Sequence, residues 1–348
     1  MLMTPDAASG RPGLLCAALA TAVLASAIVL IDALAGPSPL AATERQTAHR
    51  DLEQRLAAHS PNRAGDFTRP QAGVEGGGLS LGISDIVAPS DAAELKGAIR
   101  RADFRLAAIR EGEAEVPRLY VAALPPDLPE IDEIETRKQV FLGSVLPLVL
   151  LANEELRQRR ARLLDLVSRL ETGKEVAITD RAWLDALAEH YEVEHGDFSG
   201  LKLRVAEIPP SLALAQAIVE SGWGTSRFAL EGNALFGQRT WSAEALAIVP
   251  ERNRSVRVKA FIDLMDSVRA YMHNLNTHGA YVELRSERAR LAATRQGPGG
   301  AQLVYGLESY AEIDGYVEKL QALMRDNKLA ELDDAALRSR PLTALAFH

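Results

Sequence analysis

The run PPSLALAQAIVESGWGTSRFALEGNALFGQRTW, residues 209–241, carries the clearest structural pattern in this sequence. Ser211 can cap a helix over 211–220, and Gly222 suits the left-handed conformation that ends many helices. Four apolar residues lie on one face of this helix at helical spacing: Leu212, Ala215, Ile218 and Val219. The pattern therefore predicts a short, half-buried helix whose last residue is Glu220.

A glutamate at that position is suited to acid chemistry. The carboxyl group would lie among unpaired backbone carbonyls at the negative end of the helix dipole, and this environment raises its pKa. A general acid for glycoside hydrolysis needs a raised pKa, because it must keep its proton near neutral pH. A solvated glutamate at a helix end is the alternative that the spacing alone leaves open.

The same run closely resembles the glucosaminidase family of peptidoglycan hydrolases, of the glycoside hydrolase family 73 type. The hallmark of that family is a helix ending in A-x-x-E-S-G-W-G-x-S, followed by a turn containing N-x-x-F-G. The matching residues are Ala217, Glu220, Ser221, Gly222, Trp223, Gly224, Ser226, Asn233, Phe236 and Gly237. Lytic transglycosylases share only the Glu-Ser pair and continue to a G-L-M-Q segment, which is absent here.

Further segments resemble the Bax-like branch of this family in Gram-negative bacteria, so that the likeness covers about 116–330. They are VPRLYVAALPPDLP, RKQVFLGSVLPLVLLANEEL and YMHNLNTHGAYVELR, and ESYAEIDGYVEKL resembles a further segment of the family, with its two tyrosines Tyr310 and Tyr316. Gly279 replaces the proline that the branch usually has, which would alter only a loop. The resemblance implies an α+β fold with a mainly helical, lysozyme-like domain and a small β lobe. It also implies cleavage of the β-1,4 bond on the reducing side of N-acetylglucosamine, with Glu220 as the general acid.

The second catalytic group is less clear than the first. Family members often place it between the N-x-x-F-G turn and the next helix, where this chain offers Glu244 and Glu251. Because SVRVKAF alternates like a strand, Glu251 would lie at the mouth of a hairpin, and we favour it. Both glutamates could equally be solvated charges. The acetamido group of the substrate could instead act as the nucleophile, with Tyr310 positioning it or a water molecule.

The resemblance also suggests a set of substrate-binding residues. They are Ser221, Trp223, Asn233, Phe236, Trp241 and Tyr316. The aromatic members could stack on sugar faces or could pack the junction of the two lobes. The seven histidines form no metal-ligand pattern such as H-E-x-x-H, so we expect neither a metal nor another cofactor.

An apolar run near the N-terminus predicts export of the chain. Residues 14–31, LLCAALATAVLASAIVLI, would rise about 27 Å as a helix, close to the hydrocarbon thickness of about 30 Å. Residues 1–35 are therefore either a signal peptide, with a small-x-small cleavage site at Ala33-Leu34-Ala35, or an uncleaved anchor in the inner membrane. The single cysteine, Cys16, is not preceded by the apolar run that lipidation would need.

The remaining chain divides by composition. Residues 36–115, rich in Gly, Pro and Ser around 60–85, predict a tether that is largely disordered or partly helical. The catalytic domain is expected at 116–335 and a tail at 336–348. The apolar stretch 140–153 is too short to span a bilayer and continues into a charged helix, which predicts a buried core helix.

Charge and targeting together indicate the partners. A net charge of −8 gives no electrostatic footprint for nucleic acid. The expected partners are the glycan strands of peptidoglycan, and the cytoplasmic membrane through residues 14–31, which places the protein in the periplasm. No protein partner can be assigned. The rival functions are a lytic transglycosylase and a catalytically weak scaffold that binds the cell wall.

Overall fold

The computed structural model describes residues 85–242, 244–250, 255–294, 297–310 and 315–339. The predicted signal peptide or anchor, most of the predicted tether, Glu251 and the tail beyond 339 lie outside the described residues. The α-helices are α1 (Ala92–Arg101), α2 (Leu106–Arg110), α3 (Ile134–Glu171), α4 (Ile178–His190), α5 (Phe198–Arg204), α6 (Pro210–Ser221), α7 (Arg227–Gly232), α8 (Leu264–Thr277), α9 (Val282–Ala292), α10 (Gly300–Leu303) and α11 (Tyr316–Asp326). The strands are β1 (Asp85–Val87), β2 (Leu119–Val121), β3 (Ala247–Ile248) and β4 (Val258–Lys259), and 3-10 turns cover Leu128–Glu130, Gly279–Tyr281, Val304–Tyr310 and Leu329–Leu332.

The long helix α3 lies at the centre of the fold and packs against β2, α6 and α8. Its apolar stretch 140–153 is buried throughout, and the helix continues through Pro147 without a break. By length and composition α3 could cross a membrane, but 89% of its most apolar window is buried inside the protein. The prediction of a buried core helix is therefore confirmed.

The folded domain begins earlier than the predicted boundary at 116. Strand β1 pairs in parallel with β2, which joins residues 85–87 to 119–121. Helix α1 packs on α3, with Leu95 completely buried. The assignment of residues 85–115 to a tether is thus wrong, because the charges of α1 conceal an apolar stripe at helical spacing. The stripe consists of Ala92, Leu95, Ala98 and Ile99.

The C-terminal segment closes against the same region. The Val116 N–H donates to the carbonyl of Ala336 at 2.8 Å, and the Arg338 N–H donates to the carbonyl of Val116 at 2.7 Å. Leu337 forms an isolated parallel bridge with Val116. Ordered contacts therefore continue past the predicted domain end at 335, into the first residues of the predicted tail.

A small β lobe follows α7. Strands β3 and β4 are antiparallel, with Ala247 opposite Lys259 and Ile248 opposite Val258. The lobe has its own small core, formed by Phe228, Ala234, Val258 and Phe261. The part of SVRVKAF that forms β4 confirms the strand prediction. The architecture is the predicted one: α+β, mainly helical, with a small antiparallel β lobe.

Candidate active site

Helix α6 presents Glu220, and its start is held by a residue distant in sequence. Pro209 is the N-cap and Pro210 the first helical residue, a position that proline tolerates because its missing N–H would be unpaired there anyway. The sequence-based prediction that Ser211 caps this helix is therefore wrong. Its backbone N–H and its hydroxyl instead donate to the carboxyl oxygens of Asp333, at 2.8 and 2.9 Å.

The end of α6 is a tight turn stabilised by Ser221. Gly222 is left-handed as predicted, with φ 58°, and its N–H donates to the carbonyl of Ile218. The Ser221 hydroxyl donates to the carbonyl of Ala217 at 2.6 Å and accepts from the Gly224 N–H at 2.9 Å. The side chain of Ser221 is fully buried, so the structure gives it a role in the turn and does not support the predicted contact with substrate.

Glu220 lies in the last turn, one residue before the helix ends. Only 6% of its surface is exposed. Burial raises its pKa to about 7, while the Tyr316 hydroxyl and the positive charge of Lys319 act in the opposite direction. The Tyr316 hydroxyl donates to Glu220 Oε1 at 3.3 Å. The site therefore holds a carboxyl group that is partly protonated near neutral pH.

Tyr316 belongs to a buried chain of polar side chains. The Tyr271 hydroxyl donates to Gln216 Oε1 at 2.7 Å, and Gln216 Nε2 donates to the Tyr316 hydroxyl at 3.2 Å. This chain links α8 to α6 and α6 to α11. The sequence patterns do not predict roles for Gln216 and Lys319, although Gln216 lies one helical turn before Glu220 and Lys319 follows Tyr316 in the next turn of α11.

The N-x-x-F-G turn contacts Tyr271, one of the residues in this series of hydrogen bonds. Asn233 is left-handed, with φ 52°, and its side-chain amide donates to the carbonyls of Phe261 and Ile262, both at 3.2 Å. Phe236 stacks on Tyr271 with ring centroids 3.9 Å apart. Both residues are buried and join the β lobe to α8, so their contacts here are with protein.

The two tryptophans predicted to bind substrate differ in their surroundings. Trp223 is half-buried and meets the edge of Phe141 with centroids 5.7 Å apart, while the ammonium group of Lys138 lies 5.5 Å from the centroid of its ring. Trp241 in the β lobe is 66% exposed. Of the two, Trp241 is free to contact a ligand from solvent.

None of the candidates for a second catalytic group is seen beside Glu220 in the described part of the chain. Glu244 is exposed in the β lobe, and Glu251 lies outside the described residues. Tyr310 ends a 3-10 turn, Val304–Tyr310, and its side chain is likewise outside them. The described groups that shift the pKa of Glu220 are Tyr316 and Lys319, neither of which is an acid.

A cavity of about 600 Å³ lies between the β lobe and helices α3, α4 and α8, and Glu220 does not line it. A buried ion pair lies in its wall, in which Arg269 donates to both carboxyl oxygens of Glu155 at 2.6 and 3.1 Å. Tyr271 lies on another face of α8, directed toward Gln216. The cavity is thus separate from the buried carboxyl group of Glu220.

The chain is similar to proteins of one known family. Residues 202–329 match the family model described as Glucosaminidase, mannosyl-glycoprotein endo-beta-N-acetylglucosaminidase. The Bax protein of Escherichia coli K12 is 31% identical over 213 residues, which span 58% of this chain and 74% of that protein. The catalytic domain of the autolysin Auto from Listeria monocytogenes is 16% identical, with a TM-score of 0.29, and the match covers 46% of this chain and 90% of that domain.

Proposed function

Since this chain belongs to the Bax-like branch of the glucosaminidase family, we propose that it cleaves the β-1,4 bond on the reducing side of N-acetylglucosamine in peptidoglycan, with Glu220 as the general acid. The observation that carries the proposal is the buried carboxyl group of Glu220 at the end of α6, with a pKa near 7. Such a group keeps its proton at the pH where a solvated glutamate would have lost it.

In this reaction the protonated Glu220 donates to the glycosidic oxygen as the bond to the sugar breaks. The leaving sugar departs as a neutral alcohol, and Glu220 is left as a carboxylate. The hydrogen bond from Tyr316 and the charge of Lys319 both favour that carboxylate. The same two groups therefore stabilise the charge that develops on the acid during bond breaking.

The second group is proposed from the sequence. Glu251 is our first candidate for a base or nucleophile, and Glu244 is the other carboxylate in the interval between the N-x-x-F-G turn and α8. Participation of the substrate's acetamido group, with Tyr310 positioning it or a water molecule, is a mechanism that needs no second carboxylate. Trp241 is proposed to stack on a sugar, because among the aromatic residues predicted to bind substrate its ring is the exposed one.

One observation favours a rival chemistry. The described groups that act on Glu220 include no second acid, and a lytic transglycosylase, in which the sugar's own hydroxyl closes on the anomeric carbon, works with one carboxyl group. A scaffold that binds the wall with little cleavage is consistent with the same observation.

Product analysis separates these functions. The full-length protein is incubated with purified sacculi, and the soluble fragments are examined by mass spectrometry before and after borohydride reduction. Our proposal predicts fragments with a reducing N-acetylglucosamine end. Fragments ending in 1,6-anhydro-muramic acid would instead identify a transglycosylase, and pelleting with sacculi without any release would identify a scaffold.

The proposed substrate also sets the location. Peptidoglycan lies outside the cytoplasmic membrane, so the domain must act in the periplasm, and the apolar segment 14–31 is the proposed means of export and anchoring. Fractionation of cells that express the chain, with and without an alkaline carbonate wash of the membranes, tests this. Recovery in the cytoplasmic fraction would contradict it.

A further inference from the structure

We propose that Gln216 and Tyr271 are positioning residues that determine which oxygen of Glu220 carries the proton donated to the substrate. The inference rests on the proposed role of Glu220 as the general acid. It goes beyond that role by assigning a function to two buried side chains that act on Glu220 through Tyr316, since Tyr271 hydrogen-bonds to Gln216 and Gln216 to Tyr316.

The lengths of the hydrogen bonds indicate which atom donates and which accepts in the series from Tyr271 through Gln216 to Tyr316. The 2.7 Å contact between Tyr271 and Gln216 Oε1 has the usual length of an O–H···O bond. The 3.2 Å contact between Gln216 Nε2 and Tyr316 is at the long end for an N–H···O bond. The amide therefore turns its oxygen to Tyr271 and its nitrogen to Tyr316.

This orientation controls the proton of Tyr316. An amide nitrogen can only donate, so the Tyr316 oxygen accepts from Gln216 and its own single proton is left for Glu220. That proton is donated to Glu220 Oε1, 3.3 Å away. Since Oε1 already accepts a proton, the acid's own proton lies on Oε2, which no other described residue hydrogen-bonds.

The reverse orientation of Gln216 would misplace the acid proton. The amide oxygen would then accept from Tyr316, and the Tyr316 oxygen would in turn accept the proton of Glu220 on Oε1. The proton would point into the protein instead of toward the substrate. Tyr271 disfavours this reversal, because its buried hydroxyl proton would lose Gln216 Oε1, the acceptor that it has among the described residues.

Burial makes the orientation stable. Tyr271, Gln216 and Tyr316 are between 4 and 5% exposed, so a broken hydrogen bond among them would not be replaced readily by water. Phe236 stacks on the ring of Tyr271 with an interplanar angle of 7° and holds it in place. Gln216 and Glu220 are one turn apart on α6, which fixes their separation.

The arrangement favours the transition state over the resting acid. When the proton on Oε2 moves to the glycosidic oxygen, the electron pair of the breaking C–O bond stays on that oxygen, and Glu220 gains a negative charge. The bond from Tyr316 to Oε1 then becomes charge-assisted and stronger. Stabilisation that grows along the reaction in this way raises kcat rather than lowering KM.

The test is Tyr271→Phe in the full-length protein. This substitution keeps the ring and its stack on Phe236 but removes the hydroxyl that orients Gln216. We expect kcat on soluble glycan oligomers to fall about tenfold with KM nearly unchanged. We also expect the alkaline limb of the pH–rate profile to move to higher pH, because the Tyr316 bond that lowers the pKa of Glu220 becomes weaker.

Two further variants keep the result interpretable. Tyr120→Phe is the matched control: it also removes a buried tyrosine hydroxyl, which donates to Asp263 Oδ2 at 2.6 Å, but it should leave the alkaline limb in place. Gln216→Met fills a similar volume without hydrogen bonds and should reproduce the effect of Tyr271→Phe. If Tyr271→Phe does not fold, the pH–rate profile of Gln216→Met tests the inference in its place.

A readout independent of activity separates this inference from the proposed function. The carboxyl carbon of Glu220 is titrated by ¹³C NMR in glutamate-labelled protein and assigned by its loss in Glu220→Gln. Among the described residues, the groups that act on Glu220 are Tyr316 and Lys319 on α11 and, through Gln216, Tyr271 on α8. An unchanged titration and an unchanged pH–rate profile in Tyr271→Phe would overturn the inference, whereas an active Glu220→Gln would overturn the proposed function instead.

Discussion

At the scale of single residues, Glu220 is governed by opposing influences. Burial is the largest and raises its pKa, while Tyr316 and Lys319 lower it, and the balance is about 7. The sequence predicts the direction of this shift from the position of Glu220 at a helix end. The structure attributes it first to burial, which depends on α11 packing against α6 and cannot be inferred from local spacing.

This balance predicts how stability depends on pH. Since the pKa of Glu220 is about 7 in the folded state and about 4.3 in an unfolded chain, the protonated form favours folding. The stabilisation is fully present below about pH 4.3, is lost as pH rises toward about 7, and then levels off. Glu220→Gln, which is always neutral, should therefore gain stability relative to wild type over this range, by roughly 4 kcal/mol at most.

Urea unfolding of the two proteins between pH 4 and pH 8 measures this difference. The matched control is Glu318→Gln, which makes the same change at an exposed position on α11. If the difference in free energy of unfolding between Glu220→Gln and wild type does not change between pH 4 and pH 8, Glu220 titrates as a solvated glutamate and the prediction is wrong.

At the scale of elements, α6 is fixed at both ends by specific contacts. Its end follows from local sequence, because Gly222 and the Ser221 hydroxyl close the turn. Its start depends on Asp333, which also accepts from the Gly300 N–H at 3.0 Å and so joins α6 to the start of α10. Asp333 lies 122 residues after Ser211, so local sequence patterns cannot predict this contact. They predict instead that Ser211 is the cap.

Asp333→Ala should therefore destabilise the domain. The substitution leaves the backbone N–H groups of Ser211 and Gly300 and the Ser211 hydroxyl without their acceptor, at an expected cost of about 1–3 kcal/mol. Asp334→Ala is the matched control, because Asp334 is the exposed neighbour and its loss should change stability by less than about 0.5 kcal/mol. Equal effects of the two substitutions in thermal unfolding would refute this role for Asp333.

At the scale of the whole molecule, the N-terminal helices complete the domain that carries the site. Ile99 of α1 packs close to α3 at Gly143, where an added Cβ would lie 3.0 Å from Ile99 Cγ2. Likeness to the family placed the start of the domain near Val116, and the apolar stretch 140–153 predicted the core helix correctly. The earlier segment was missed because its apolar stripe is shorter and its surface is charged.

The packing of α1 predicts that Leu95→Ala will destabilise the entire domain. Leu95 is completely buried, so its truncation should cost about 2–5 kcal/mol in chemical unfolding of the full-length protein. Lys96→Ala, at the exposed neighbouring position, should change stability by less than about 0.5 kcal/mol. If the two variants have the same free energy of unfolding, residues 85–115 do not unfold cooperatively with the rest of the domain.

The central claim is that Glu220 supplies the proton for cleavage of the glycan, and digestion of purified sacculi by full-length Glu220→Gln tests it most directly. Glu318→Gln is run in parallel, and circular dichroism first establishes that both variants are folded. We expect Glu220→Gln to release fragments at least about 100-fold more slowly than wild type, and Glu318→Gln to retain the wild-type rate. Release of fragments by folded Glu220→Gln at the wild-type rate would contradict the claim.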